Sequence, residues 1–210
     1  MKANLLIFGC FAAGILLGIS GCEPLWLHRP NLSVMIPSVL ILQVGAGLGA
    51  NDNLMQIVRS IRPRMLLLPL FTIIGSLLFA GCASLLPGGR SLQECLAVGS
   101  GFGYYSLSSV LIANVGPQSL GAEGAAELAT IALLANVARE MCVLFCLPLF
   151  ARWCGQIAPI SAAGITSMDV CLPAIVRYSG GSSRLVPLAV LHGLALEISV
   201  PMLVTFFCRA

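Results

Sequence analysis

Charge is scarce in this sequence, and its scarcity excludes an ordinary soluble fold. Only 9% of the 210 residues are charged, and Lys2 is the single lysine. A soluble domain carries about 25% charged residues. With 58% hydrophobic residues and a mean hydropathy of +0.99, most of the surface must face lipid. No basic stripe with interleaved aromatic residues is present, so the sequence does not support nucleic-acid binding.

The patterns of metal, disulfide and enzyme sites are also lacking. The nine cysteines contain no CxxC pair, and only two histidines occur. This usage matches neither a zinc spacing nor a disulfide framework, and we interpret the cysteines as small apolar packing residues. Neither a nucleophile–base arrangement nor a glycine-rich phosphate loop is recognisable. We therefore predict no metal, no cofactor and no enzymatic activity; a membrane enzyme acting on lipid would need a catalytic pair.

Long apolar runs are what the sequence does contain. Five runs approach or exceed the roughly 20 residues that cross a bilayer as a helix: residues 5–21, 32–50, 65–86, 126–150 and 185–208. Two further apolar runs are interrupted. They are residues 92–115, with Gly99, Gly101 and Gly103, and residues 155–176, with Pro159, Gly164, Asp169 and Pro173. Non-helical backbone at membrane depth survives only inside protein or beside water, so we predict two re-entrant or discontinuous helical segments.

These runs predict an all-α, polytopic membrane helix bundle that forms a single transmembrane transporter domain over residues 1–210. Arg59, Arg62 and Arg64 cluster between the second and third spans, and the positive-inside rule places this loop and the N-terminus in the cytoplasm. Five full spans with two re-entrant segments fit the rule better than seven full spans. Both alternatives place the C-terminus outside.

Asp169 is the strongest candidate for a functional charge at membrane depth. A charged side chain there costs about 2.5–3.5 kcal/mol on insertion scales, which makes it a functional candidate by default. Thr166 and Ser167 lie within the same short interrupted stretch. A carboxylate with hydroxyls and free carbonyls suits a cation or an ammonium group. The alternative is that Asp169 caps the start of a helix.

The fourth span carries a second polar group, Asn136, Arg139 and Glu140. Asn136 and Glu140 are four residues apart and share a helix face. An arginine beside a pocket can hold the carboxylate of an amino acid, since its planar fork matches that geometry. The alternative is an internal pair that holds helices together.

A third candidate stretch runs from residue 100 to residue 109. Gly101 and Gly103 allow close backbone approach, and Tyr105 and Ser106 follow among several hydroxyl groups. Aromatic faces can hold a cationic group, although small residues also pack helices tightly.

The last span carries a third carboxylate, Glu197, and a histidine, His192. These two residues point about 140° apart on a helix and do not form one site by themselves. We interpret His192 as a hydrogen bonder between helices.

These strings resemble the LysO lysine exporter family of membrane proteins. The resemblance is ordered along most of the chain and rests on the following strings: Gly101-Phe102-Gly103-Tyr104-Tyr105-Ser106-Leu107, Asn136-Val137-Ala138-Arg139-Glu140, Thr166-Ser167-Met168-Asp169, Leu172-Pro173, Val186-Pro187 and His192-Gly193. It implies export of L-lysine and lysine analogues across the bacterial inner membrane, with Asp169 as the intramembrane acid and Tyr105-Ser106 as the tyrosine-serine string of the family.

The resemblance also carries expectations about partners. Full-length relatives have a further N-terminal portion, so it implies a separately encoded small membrane protein that supplies the missing spans. A homo-oligomer is compatible with the sequence. Coupling of export to protons or another ion is expected, because export against a gradient needs it. The alternative function is a non-transporting structural or sensor subunit of a membrane complex.

Overall fold

The structure is a computed structural model that describes residues 63–86, 90–178 and 185–209, together with residues 13, 16, 17, 19 and 20. The chain divides into two compact units, Met1–Ala50 and Asn51–Ala210. The five described residues of the first unit are helical and fall in the first predicted span. The second predicted span lies outside the described residues, as do Lys2, Arg59 and Arg62.

The second unit is helical throughout its regular elements, which confirms the all-α prediction for the described residues. A 3₁₀ turn, Pro63–Leu66, leads into the first helix, and a second 3₁₀ turn, Gly164–Met168, follows the fifth. The helices are α1 (Leu67–Ala83), α2 (Leu92–Gly99), α3 (Tyr105–Val115), α4 (Pro117–Cys154), α5 (Ala158–Ala163), α6 (Leu172–Tyr178) and α7 (Leu185–Arg209).

Three helical stretches in the described part are long and apolar enough to cross a membrane: Pro63–Ala83, α4 and α7. They coincide with the third, fourth and fifth predicted spans. Helix α4 begins earlier than predicted, and Gly121 at φ 74° and ψ 168° separates its first turn from the rest. Glycine adopts this conformation without the penalty of a Cβ atom. The total number of spans and their orientation remain predictions.

The core forms around α7. Leu196, Val200 and Val204 of this helix are completely buried, and α7 packs against α2, α3 and the 3₁₀ turn Gly164–Met168. Helix α1 instead exposes large apolar side chains such as Phe79, which is 82% exposed. Such a face would be costly in water but suits lipid.

Both segments that were predicted to be interrupted are interrupted. The first consists of α2 and α3, and the second of α5, the 3₁₀ turn and α6. Pro159 and Pro173 begin new helices rather than lie within one. Both lie in the first turn of a helix, α5 and α6 respectively. A proline there removes no helical hydrogen bond because the first N–H groups have no partner within the helix.

Helix α2 has a well-defined start. Ser91 Oγ accepts a hydrogen bond from the Glu94 N–H at 3.3 Å, and Glu94 Oε2 accepts one from the Ser91 N–H at 2.9 Å. This reciprocal capping box follows from the S-x-x-E spacing. Arg90 forms ion pairs with Glu94 and Glu127, and the hydrogen bond with Glu127 raises the pKa of Arg90.

Candidate functional site

The first interruption is a tight, buried turn between α2 and α3. Phe102 has a φ of 45° and Gly103 a φ of 95°, and Phe102 is completely buried. A residue with a side chain rarely occupies the left-handed region, and such residues persist only where the surrounding structure fixes them. The helix therefore stops here because packing holds the turn.

The second interruption lies between α5 and α6, and it touches the first directly. The Ile165 N–H donates to the Phe102 carbonyl at 3.1 Å. Gly164 has a φ of 64°, and a Cβ atom at this position would lie 2.2 Å from the Phe102 oxygen. Only glycine permits this approach. Two broken helices therefore meet through their backbones.

Asn136 of α4 supports the first interruption. Its Oδ1 accepts the Gly103 N–H at 2.8 Å, and its Nδ2 donates to the Ala132 carbonyl at 2.8 Å and to Ser108 Oγ at 3.4 Å. A Cβ atom at Gly101 would lie 2.4 Å from Nδ2. The buried amide thus satisfies a backbone donor that the turn releases, which offsets the cost of leaving that donor unpaired.

Arg139 supports the second interruption. Its Nε donates to the Ala162 carbonyl at 3.2 Å, and its Nη2 donates to the Ser161 carbonyl at 3.4 Å. These carbonyls lie at the end of α5, where a positive charge is favourable because helix carbonyls point outward there. In the described part of the chain, Arg139 forms no ion pair with Glu140, so the internal pair weighed as an alternative is not formed there.

Three carboxylates form an acidic cluster in which Asp169 lies within electrostatic range of both Glu140 and Glu197. Glu140 and Glu197 are each 7% exposed, whereas Asp169 is exposed and accepts the Val170 N–H. The charge of Asp169 acts on both glutamates. Within the described ranges, no basic nitrogen lies within 4.0 Å of these three carboxylates. The cluster therefore lacks a resident counter-charge among those residues.

Two tyrosines lie beside this acidic cluster. Tyr105 is within electrostatic range of Glu140 and Asp169, and Tyr104 is within range of Glu197 and Asp169. Tyr105 is the first residue of α3, whose N-terminus carries no side-chain cap. The first N–H groups of a helix have no partner within it, so donors as well as carboxylates are present here.

A buried polar chain ties the second interruption to two spans. His192 Nε2 lies 3.0 Å from Thr72 Oγ1, which lies 2.7 Å from Ser161 Oγ. On its other side, His192 Nδ1 lies 3.2 Å from Ser167 Oγ, which donates to the Ala189 carbonyl at 3.0 Å. Because Ser167 donates to a carbonyl, its oxygen accepts from His192 Nδ1–H. The ring bridges helices, as the sequence predicted.

A cavity of about 660 Å³ opens between α1, α4 and α5. Its polar lining includes Thr72, Asn136, Arg139 and Ser161. Among the described residues, the lining does not include Asp169 or the two glutamates. The cavity therefore reaches the supporting residues of the two interruptions but not the carboxylates of the acidic cluster.

The sequence matches the protein-family model described as "Lysine exporter LysO" over residues 8–208. The chain belongs to this family of lysine exporters. It is 34% identical over 184 residues to a Haemophilus influenzae protein named "Putative lysine exporter", with 87% of each chain covered. It is 31% identical over 206 residues to the Escherichia coli protein named "Lysine exporter LysO", covering 97% of this chain but 64% of that one. No solved structure matches.

The residues predicted to bind substrate fall into two groups in this family member. Those in or beside the acidic cluster are Glu140, Asp169 and Tyr105, and Ser106 follows Tyr105 in the first turn of α3. Those bonded or packed within the protein are Gly101, Gly103, Asn136, Arg139, Thr166 and Ser167. Thr166 Oγ1, for example, donates to the Ala163 carbonyl at 2.9 Å. Their roles in binding remain predictions. The sequence analysis identified Glu197 as a third carboxylate in a span but did not include it among the substrate-binding residues. Its position in the middle of a predicted span was the signal that could have included it.

Proposed function

We propose that this chain exports L-lysine, or a similar cationic amino acid, across the bacterial inner membrane as a secondary transporter. The observation that carries the proposal is the acidic cluster where two broken helices meet, in a chain of the lysine exporter family. Charged groups inside a membrane protein mark substrate or ion pathways. A cluster without a basic partner suits a substrate that brings its own positive charge.

Lysine carries two ammonium groups and one carboxylate, and the site offers a partner for each kind. We assign one ammonium group of the substrate to Asp169 and Glu140 together. These carboxylates lie close enough for the charge of Asp169 to act on Glu140, so one cation can interact with both. We assign the substrate carboxylate to the first N–H groups of α3 and to the hydroxyl of Ser106, since a helix N-terminus favours an anion. Each charged group then has a partner, which reduces the cost of leaving water.

The other predicted residues act by shaping this arrangement. Asn136 and the two glycines beside it fix the turn that starts α3, while Arg139, Thr166 and Ser167 hold the turn that carries Asp169. Transporters often bind substrate where discontinuous helices end near the middle of the membrane. The expected separate membrane partner and the oligomeric state remain predictions.

Lysine transport into inside-out vesicles tests the proposal. Asp169→Asn removes the charge but keeps the shape, and we expect uptake of labelled L-lysine to fall about tenfold or more, the effect of losing one charge-assisted hydrogen bond. Glu123→Gln is the matched control because Glu123 is exposed and lies 17 residues before Glu140 on α4, about 25 Å along the helix. Immunoblots check that the variants are as abundant as the wild-type protein.

Competition experiments test the chemistry of recognition. L-Norleucine has the same chain length as lysine without the side-chain ammonium group, so it should compete poorly with labelled lysine. Equal competition by norleucine, or unchanged transport by Asp169→Asn at equal abundance, would show that the carboxylates do not select the substrate.

A further inference from the structure

Arg139 is a cation near the middle of a span for which the proposed function gives only a supporting role. It lies 13 residues after the start and 11 residues before the end of the apolar run 126–150, or about 16–20 Å of helix in each direction. A charge at this depth is costly and is a functional candidate.

The charge of Arg139 lacks a counter-ion in the described part of the chain. It forms no ion pair there, and no carboxylate of that part is close enough to act on its charge. The Ala162 and Ser161 carbonyls accept one hydrogen bond each, but a guanidinium carries more N–H groups than these two bonds use. Arg90, by contrast, forms ion pairs with two glutamates. The remaining N–H groups of Arg139 can therefore bind an acidic group that is not part of those residues.

Arg139 lines the cavity of about 660 Å³ between α1, α4 and α5, a size at which protein pockets hold small organic ligands. The lining also contains Phe71, Phe79 and Phe150. Phe71 is 64% exposed and Phe79 is 82% exposed, so the cavity opens on the apolar face of α1 that suits lipid. An apolar ligand could therefore pass from the bilayer to a buried cation.

The other polar groups of the cavity favour a ligand with a single polar end. Thr72 and Ser161 are hydrogen-bonded to each other, and Thr72 also to His192. Asn136 is engaged by the Gly103 N–H. Among the described lining residues, no aspartate or glutamate is present. The ammonium groups of lysine would find no carboxylate partner in this lining, so the cavity does not suit a second molecule of the proposed substrate.

The depth of Arg139 distinguishes between the acidic lipids of a membrane. The phosphate of a phospholipid is permanently charged and stays at the bilayer surface, about 15 Å from the middle of the hydrocarbon core. A carboxylic acid can bind a proton and enter the apolar region in its neutral form. The oxygen atoms of both forms accept N–H groups, and the ionised form does so more strongly because a guanidinium can bind it through two hydrogen bonds.

We infer that this cavity binds a fatty acid, with its carboxyl group at Arg139 and its hydrocarbon chain along Phe71 and Phe79. The carboxyl group then accepts the N–H groups that the α5 carbonyls leave free, and the chain covers the apolar lining. This inference does not depend on the proposed function, because the carboxylates of the acidic cluster do not line the cavity.

Photo-crosslinking of the purified protein in proteoliposomes tests the site. The two probes are palmitic acid and hexadecanol, each with a diazirine at the end of the hydrocarbon chain, so that they differ only in the polar group. We expect the acid to label the protein at least about tenfold more than the alcohol, the effect of one charge-assisted hydrogen bond. Mass spectrometry should place the label on residues 71–79 of α1, and unlabelled palmitate should prevent it.

Three results in the wild-type protein would overturn the inference. Equal labelling by the alcohol would show ordinary contact with the lipid-facing surface. Labelling that avoids the lining of the cavity would place the acid elsewhere. Competition by phosphatidylglycerol but not by palmitate would assign the cavity to a phospholipid headgroup.

Ala135→Phe blocks the cavity beside the cation. Ala135 is exposed, lines the cavity and lies four residues before Arg139 on the same helix face. Ala126→Phe is the matched control, because Ala126 is also exposed but lies nine residues before Ala135, on the opposite side of α4. We expect the preference for the acid to disappear in Ala135→Phe and to remain in Ala126→Phe. An unchanged preference in Ala135→Phe would contradict binding in this cavity.

Arg139→Gln tests the assignment of the carboxyl group. This variant should label equally with the acid and the alcohol, and a retained preference would show that the carboxyl group does not bind Arg139. Because Arg139 also supports α5, thermal unfolding of the variant is measured beside that of the wild-type protein. The comparison of the two probes in the wild-type protein decides the inference whatever the stability of this variant.

Discussion

Replacing Gly164 by alanine tests the contact between the two interruptions most directly. The new Cβ atom would lie 2.2 Å from the Phe102 oxygen, which is backbone and cannot rotate away. Gly164 also has a φ of 64°, and a side chain in a sparsely populated backbone conformation costs about 1–3 kcal/mol. Relief of the clash would require the Phe102 carbonyl to move, which would break its hydrogen bond with the Ile165 N–H, a further loss of about 1 kcal/mol.

We therefore expect Gly164→Ala to lower the free energy of unfolding by at least about 2 kcal/mol. Gly75→Ala is the matched control, because a Cβ atom there meets nothing within 4 Å. In a helix interior, this change should be neutral or stabilise by up to about 1 kcal/mol. Thermal unfolding in detergent compares the two variants, and vesicle uptake of lysine shows whether the altered contact also reduces transport.

The result that would refute this reasoning is equal behaviour of the two variants. If Gly164→Ala unfolded at the wild-type temperature and transported lysine normally, Phe102 and Gly164 would not be in close contact in the working protein. A loss of transport without a loss of stability would instead show that the substitution alters the geometry of the site and not the stability of the fold.

The remaining predictions concern Asn136 and His192, whose side chains form hydrogen bonds that hold the two interruptions. Asn136→Leu should destabilise the protein by about 1–3 kcal/mol because the Gly103 N–H is left buried without its acceptor, measured as a lower unfolding temperature in detergent; an unchanged temperature would contradict the support role. His192→Leu should cost less, about 1 kcal/mol, the usual value for hydrogen bonds between membrane helices, because Thr72 and Ser167 each keep a second hydrogen bond. The reverse order in the same assay would show that the histidine chain is the more important support.

The sequence could predict where helices stop, but not what the stops contact. Glycines at 99, 101, 103 and 164 disfavour helix and therefore indicate interruptions without knowledge of the fold. The contact between the Phe102 carbonyl and the Ile165 N–H joins backbone atoms far apart in the chain. Backbone contacts of this kind leave no periodic pattern in side chains. For the same reason, the spacing of Asn136 and Glu140 predicted a shared face but not that the amide serves a backbone donor.

The sequence also could not show which hydroxyl groups near Asp169 are used by the fold itself. Thr166 and Ser167 are polar residues beside Asp169, and composition alone cannot distinguish a hydroxyl that contacts substrate from one that holds a turn. In the structure both hydroxyls donate to backbone carbonyls of the protein, those of Ala163 and Ala189. An interrupted helix leaves backbone groups unpaired, so nearby hydroxyls are needed first for the fold.

Arg139 and Glu140 are neighbours in the sequence, yet the arginine does not neutralise the acidic cluster. The reason is the direction in which each side chain leaves the helix. Adjacent residues of a helix point about 100° apart, so Arg139 reaches the Ser161 and Ala162 carbonyls while Glu140 lies near Tyr105. If Arg139 paired with Glu140, a substrate ammonium group would have to compete with a permanent cation. Carbonyl groups hold the guanidinium instead, so it stabilises the end of α5, and under the proposed function the carboxylates stay available for the ammonium group of the substrate.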